Sequence, residues 1–181
     1  MFHPPAPESA AIPVSDPAAF PSRAVEPGDL AAIEALHDAV FGPGALTRTA
    51  YRVREGQPPF TPQCRVLFDG GTLVAFLRFT AIGIGGAGGV LMLGPLGVTS
   101  AYANQGHGRR LLAEGLASAR EGGILAVLLV GDPPYYARFG FQRVAPGRIE
   151  MPGPVDPARL LLAELAPGAS AVLHGRVTGG V

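Results

Sequence analysis

A mixed α/β domain is the fold class the sequence predicts, and three observations predict it. Two runs rich in β-branched and aromatic residues, 65–68 and 72–79, are joined by Asp69-Gly70-Gly71. Two uncharged apolar runs follow at 90–98 and 124–130, and an amphipathic helical pattern over 106–121 lies between them. Turn chemistry between β-formers marks a hairpin. Strands that are apolar on both faces belong near the centre of a sheet, and a helix between two of them connects neighbours. At 181 residues and 18.6 kDa, the chain suits one domain.

The elements read in order as follows. Residues 1–22 form a Pro/Ala tract (Pro4, Pro5, Pro7, Pro13, Pro17, Pro21) with too little apolar surface to order itself, so an extended or disordered front segment precedes a single domain over 23–181. Pro27-Gly28-Asp29 offers a turn and an N-cap. Leu30, Ile33, Leu36, Val40 and Phe41 then recur at helical spacing until Gly42-Pro43-Gly44. A weaker helical stretch covers 46–54. After the hairpin, the glycine run 83–89 reads as a loop, 90–98 as a third strand, 106–121 as a helix closed by Gly122-Gly123, and 124–130 as a buried strand. A short helix over 135–139 ends at Gly140. The segments 141–144, 160–165 and 172–177 read as strands, although 160–165 fits a helix on pattern alone.

Charge composition removes several function classes. Basic and acidic residues number 14 each, so no positive field favours nucleic acid or an anionic membrane, and neither partner is expected. Every basic residue is arginine. Without lysine there is no Schiff base and no Walker-type phosphate lysine. One cysteine, Cys64, allows no intramolecular disulfide and reads as a structural residue; the four histidines, His3, His37, His107 and His174, are too scattered for ligand spacing, so no metal is expected. The N-terminus lacks signal-peptide regions and no apolar run has membrane-spanning length, which together with the cysteine usage predicts a cytoplasmic protein.

Gly83-Ile84-Gly85-Gly86-Ala87-Gly88 has the spacing of a dinucleotide fingerprint, but that site needs a helix to follow and here a strand does. A better phosphate site is Asn104-Gln105-Gly106-His107-Gly108-Arg109-Arg110, between a buried strand and a strong helix. Its glycines let backbone N–H groups approach an anion at the positive end of the helix dipole. Arg109 and Arg110 oppose that dipole, a conflict that a bound anion would resolve. Taken alone, the stretch reads equally as a glycine-containing turn with exposed arginines. No Asp or Glu occurs between Asp69 and Glu114, as a polyphosphate would require.

Four ordered segments carry a family resemblance: 93–98 (LGPLGV), 102–112, 128–132 (LLVGD) and 135–141 (YYARFGF), followed by 151–157 (MPGPVDP). Over roughly residues 24–177 the chain resembles the GNAT acetyltransferases, and most closely their bacterial YhbS-like branch. The resemblance implies a mixed, mostly antiparallel central sheet with a splayed central pair of parallel strands, flanked by helices. It implies acetyl-CoA as co-substrate and a small amine or peptide acceptor. Leu96, Gly97 and Val98 match the strand that pairs with the pantetheine arm, and Asn104, Gln105, Gly106, His107, Gly108 and Arg109 match the pyrophosphate loop. Asp132 matches a polar position near the arm, and Tyr136 the tyrosine facing the thioester sulfur. Ala103 departs from the Gln or Arg that usually stands three residues before the first loop glycine, which removes one side-chain contact and leaves the backbone cradle.

The chemistry asks for a neutral amine, a polarised carbonyl and a leaving thiolate. An alkylammonium of reference pKa near 10.4 is neutral about once in a few thousand molecules at pH 7, whereas a thiol of pKa about 8.5 leaves readily. A base is therefore needed more than an acid. The central strand offers none at Leu91, Met92, Leu93 or Gly94; Glu34, His37, Asp38, Glu55, Asp132 and a water chain all stay open. His37 reads as a surface residue, and Glu34 with Asp38 as a solvated face. A non-catalytic acyl-CoA-binding module is the alternative function, and the acceptor and oligomeric state, a homodimer included, are left open.

Overall fold

A computed structural model describes residues 20–42 and 49–180. The chain opens with β1 (Ser22–Ala24), a 3-10 turn at Pro27–Asp29, α1 (Leu30–Phe41) and α2 (Thr49–Arg52). A meander follows: β2 (Arg65–Asp69), β3 (Thr72–Ile84) and β4 (Ala87–Val98), then α3 (His107–Glu121) and β5 (Ala126–Val130). The C-terminal third holds α4 (Pro133–Tyr136), β6 (Gln142–Arg143), β7 (Ile149–Glu150), β8 (Leu160–Glu164), α5 (Ala169–Val172) and β9 (Gly175–Gly179). Strand order along the sheet is β1-β2-β3-β4-β5-β8-β6, with β9 pairing β3 and β7. On that main path every contact is antiparallel except β4 with β5. Among the described residues no helix is long and apolar enough to cross a membrane.

The period-2 pleat divides the apolar runs between two cores. Leu91, Leu93, Val127 and Leu129 face α1 and α3, while Val90, Met92, Ala126 and Leu128 face the side closed by Ile149, Leu160, Leu173 and Val177. Burial on both faces explains why β4 and β5 read as unbroken apolar strings. On α3 the buried stripe is Leu111, Leu112, Leu116 and Ala119. Gly115 completes it: a Cβ there would lie 2.7 Å from Phe79 Cε2, so its absence sets how closely α3 approaches the sheet. Cys64 is structural, its Sγ accepting the amides of Thr61 (3.2 Å) and Phe79 (3.1 Å) where β2 begins.

Several elements differ from the sequence reading. The glycine run 83–89 is not a loop. Gly83 and Ile84 belong to β3 and Ala87 opens β4, leaving Gly85 and Gly86 (φ 59° and 86°) as a two-residue turn of the type that matches strand twist. Here glycine serves close approach, since a Cβ on Gly85 would stand 2.0 Å from the His174 carbonyl oxygen. The segment 160–165 is strand over Leu160–Glu164, but 172–177 is not one strand, because Val172 ends α5 and the strand starts at Gly175. The short helix of 135–139 begins earlier, at Pro133, where two prolines at the first helical positions suit the missing donors. Of the weak helix over 46–54, Thr49–Arg52 is helical and 46–48 lie outside the described residues.

The short strands β1 and β7 carry no periodicity that a sequence pattern could register. Of the front segment, 1–19 lie outside the described residues, whereas Phe20 packs edge-on against Tyr102 and His107 and β1 pairs with β2. Arg23 then grips Asp29 through both nitrogens (2.6 and 2.7 Å), and Asp29 also accepts the Glu26 amide at 2.8 Å. This pair holds Asp29 below the usual carboxylate range.

Candidate active site

The site starts where β4 parts from β5. The two strands pair only from Val90–Ala126 to Met92–Leu128. Beyond Met92, β5 stays bonded to β8 while β4 turns away with β3 through a bulge opposite Leu77–Phe79. The edge of β4 from Leu93 to Val98 that faces away from β3 consequently has no strand beside it among the described residues. Gly97 keeps this stretch against the core, since a Cβ there would fall 2.4 Å from the Phe76 ring.

Next along the chain is the helix start. Gly106 takes a left-handed φ of 89° as N-cap of α3, Asn104 has φ 61°, and the first helical bond is Arg110 N–H to Gly106 O. The amides of His107, Gly108 and Arg109 are thereby left without i−4 partners. They border a cavity of about 360 Å³ with Val98, Tyr102, Asn104 and Arg109 in its wall and no carboxylate among the described residues. A Cβ on Gly108 would touch Val98, Leu96 and the Tyr135 hydroxyl at 3.4–3.6 Å. The room for an anion here exists because this residue lacks a side chain.

A second cavity, about 720 Å³, opens at the fork between Met92, Leu93, Gly94, Leu96 and Leu129, with Tyr136 in its wall. Tyr136 is set by Gly131, where a Cβ would meet its ring at 2.4 Å. Burial, reinforced by the neighbouring Tyr135, pushes the Tyr136 hydroxyl up to about 12, so it remains a proton donor across the neutral range. The other walls are α2 and the segment 151–157: the Thr49 hydroxyl donates to Pro154 O at 2.7 Å, and Pro154 and Val155 line the cavity.

The family model described as "Acetyltransferase (GNAT) domain" matches residues 22–144, more than half of the chain. The chain belongs to the GNAT acetyltransferases. A curated relative, the "Uncharacterized N-acetyltransferase YhbS" of Escherichia coli K12, is 37% identical over 78 residues, which is 42% of this chain and 47% of the relative. The chain thus matches about half the length of that relative. Solved structures agree over a longer span. The crystal structure of E. coli YhbS in complex with CoA superposes with TM-score 0.76 at 29% identity, covering 89% of each chain. A GNAT acetyltransferase from Brucella melitensis in complex with acetyl-CoA gives 0.68 at 26% identity, over 90% of this chain and 96% of the other.

Within this GNAT domain the residues singled out by sequence do not all converge. Leu96 and Tyr136 border the larger cavity; Val98, Asn104, Gly106, His107, Gly108 and Arg109 border the smaller. Gln105 turns back to donate to Ala101 O at 3.1 Å. Asp132 lies at the N-cap of α4 with its side chain exposed, in the wall of neither cavity. His107 meets the smaller cavity near the helix start, but it is 1% exposed, its ring between Phe20 and Tyr102, and neither ring nitrogen has a partner among the described residues. Burial, with help from Arg110, lowers its pKa and keeps it neutral. The arginine conflict at the helix start is half resolved by the protein: Arg110 bonds Glu114 (2.8 Å) and the Phe20 carbonyl (2.6 Å), and Arg109 remains on the cavity, where Arg138 joins it.

Two residues in the wall of the larger cavity carry no signal in the sequence, and the place of a third differs from its sequence reading. His37 is not a surface histidine; it is 9% exposed, with Nε2 against the Tyr51 hydroxyl and Nδ1 3.2 Å from Asp38 Oδ1. Asp38 in turn is 74% exposed. Tyr51 lines the larger cavity, as does Arg54, whose guanidinium lies 4.9 Å from the Tyr51 ring centroid. Burial, then repulsion from Arg78, lowers Arg54 to about 10, which still leaves it cationic at neutral pH. Glu34 and Glu55 are exposed and border neither cavity.

Proposed function

We propose that the protein is an acetyl-CoA-dependent N-acetyltransferase that acylates a primary amine by direct transfer. The observation that carries this reading is the forked sheet: the unaccompanied β4 edge runs from the anion-ready start of α3 to the cavity walled by Tyr136. Acetyl-CoA supplies a thioester, an activated acyl group with a good leaving sulfur. The amides of His107, Gly108 and Arg109, with the Arg109 guanidinium, suit its diphosphate. The outward backbone groups of Leu96 and Val98 suit the amides of its pantetheine arm, as a strand would, while Gly97 between them turns its own to β3.

The amine's proton has a route in the chain's own residues. With His37 neutral and its Nδ1–H donated to Asp38, the Tyr51 hydroxyl donates to Nε2. Tyr51 Oη takes the ammonium proton as it hands its own to His37 Nε2, and the imidazolium passes the Nδ1 proton to exposed Asp38 and water. Tyr136, held protonated, donates a hydrogen bond to the sulfur as negative charge develops there. With a proton affinity so far above a thiol's, it stabilises the thiolate more than it transfers to it.

The test is amine-dependent release of free thiol from acetyl-CoA, run with CoA affinity measured by calorimetry. Turnover that Tyr136→Phe slows by about ten- to a hundredfold, with CoA still bound, is expected. Tight CoA binding without turnover on any amine would make the protein an acyl-CoA-binding module instead, and absence of CoA binding would remove both readings.

A further inference from the structure

A guanidinium withdrawn from water is ordinarily paired with a carboxylate, because a buried charge left alone forfeits its hydration for nothing. Arg54 breaks this rule. It is 7% exposed, its Nε meets no acceptor among the described residues, and the charged side chain that acts on it, Arg78, repels it. Its placement is nevertheless firm. The Arg54 amide donates to Tyr51 O at 2.9 Å, the Tyr51 ring backs the cation, and on its other side a Cβ at Gly94 would come 3.4 Å from Nη2. Ring and backbone thus hold the guanidinium at the fork, in the wall of the 720 Å³ cavity, where Arg159 also reaches and, among the described residues, no Asp or Glu contributes.

Such a wall favours an anion. On the acetyl-transfer reading the coenzyme's diphosphate lies elsewhere, at Arg109 and the start of α3, so the anion at Arg54 belongs to the acceptor. The volume suits a small molecule, and a planar fork of N–H donors matches a carboxylate edge to edge.

We propose that the acceptor is a small amine bearing a carboxylate, anchored by Arg54 with its amino group toward Tyr51 and Tyr136. This rests on the acetyltransferase reading above.

The experiment compares thiol release for the standard α-amino acids, β-alanine and 4-aminobutyrate with release for the amines that lack only their carboxylate, and for matching aminophosphonates. The best carboxylated acceptor is expected to exceed its decarboxylated partner by about ten- to a hundredfold in kcat/KM, the worth of a charged hydrogen-bond pair. Arg54→Gln should collapse that ratio mainly through KM, and Arg54→Lys, which keeps the charge without the fork, should recover only part. Decarboxylated amines used as well as amino acids, phosphonates preferred over carboxylates, or a uniform loss of kcat with the ratio intact would each overturn the proposal. The last outcome would mark Arg54 as acting on the thioester carbonyl. Should no amine turn over, acetyl transfer fails separately, and propionate, 3-phenylpropionate and succinate are titrated into the CoA-saturated protein by calorimetry. Binding abolished by Arg54→Gln sustains the anchor, and absence of binding to the wild type removes it.

Discussion

Tyr135 and Tyr136 meet edge to face, ring centroids 4.9 Å apart and planes at 81°, yet they open onto different cavities. Tyr135 directs its hydroxyl to Gly108 at the start of α3, and Tyr136 borders the fork. Adjacent residues of a short helix project about 100° apart, which lets one dipeptide serve two ends of an elongated ligand.

The pair should therefore separate by mutation. Tyr135→Phe is expected to weaken CoA binding by about two- to tenfold, the loss of one neutral hydrogen bond, read by calorimetry. Tyr136→Phe should act on kcat. Gly131→Ala, whose Cβ would meet the Tyr136 ring at 2.4 Å, should reproduce the Tyr136→Phe loss in part without touching that side chain.

Removing His37 should slow turnover in a pH-dependent way. His37→Gln is expected to lower kcat by about a hundredfold near neutrality. The deficit should shrink as pH rises toward the acceptor's own pKa, because the amine then arrives neutral. A deficit constant from about pH 7 to 10 would instead mean that His37 only supports packing.

Stability should fall in two acid steps. His107 has a depressed pKa in the folded state, so its contribution is complete above the ordinary value of 6.5 and is lost as pH falls through the folded value. Asp29 is likewise depressed, chiefly by its hydrogen bonds from Arg23, and its contribution disappears only below the ordinary 3.8. Thermal unfolding followed against pH should show both steps. His107→Leu should abolish the upper one, and Asp29→Ala should cost about 1.5–3 kcal/mol at neutral pH and reduce the lower, to which Glu164, held down by its hydrogen bonds from Ser170, also contributes.

Arg54→Met should do the opposite of most buried substitutions. Taking away an unpaired charge ought to raise Tm by about 2–4 °C, roughly 1 kcal/mol for a chain of this size, while acceptor use declines. A fall in Tm would mean that stacking on Tyr51 outweighs the burial of charge.

What the sequence discloses and withholds follows from the range of each interaction. The helix α3 and strands β4 and β5 are legible because their patterns are local, repeated every 3.6 or two residues. Gly85 looks like loop chemistry because the carbonyl of His174 that requires it lies almost ninety residues away in the chain. Asn104 to Arg109 could be singled out since a phosphate turn is contiguous. Tyr51 and Arg54 could not, because their meaning comes from Gly94 and His37, which only the fold brings near. His37 looks solvent-facing on α1 until α2 covers it.

The seam between β4 and β5 is only three residue pairs long. Amide hydrogens of Leu96 and Val98, which point to the open margin, should exchange with deuterium fast in the free protein and slowly once a pantetheine chain is laid beside them, whereas that of Gly97, turned to β3, should not change. The coenzyme would then zip shut the two leaves of the sheet, and each cycle would have to unzip them before the next donor enters.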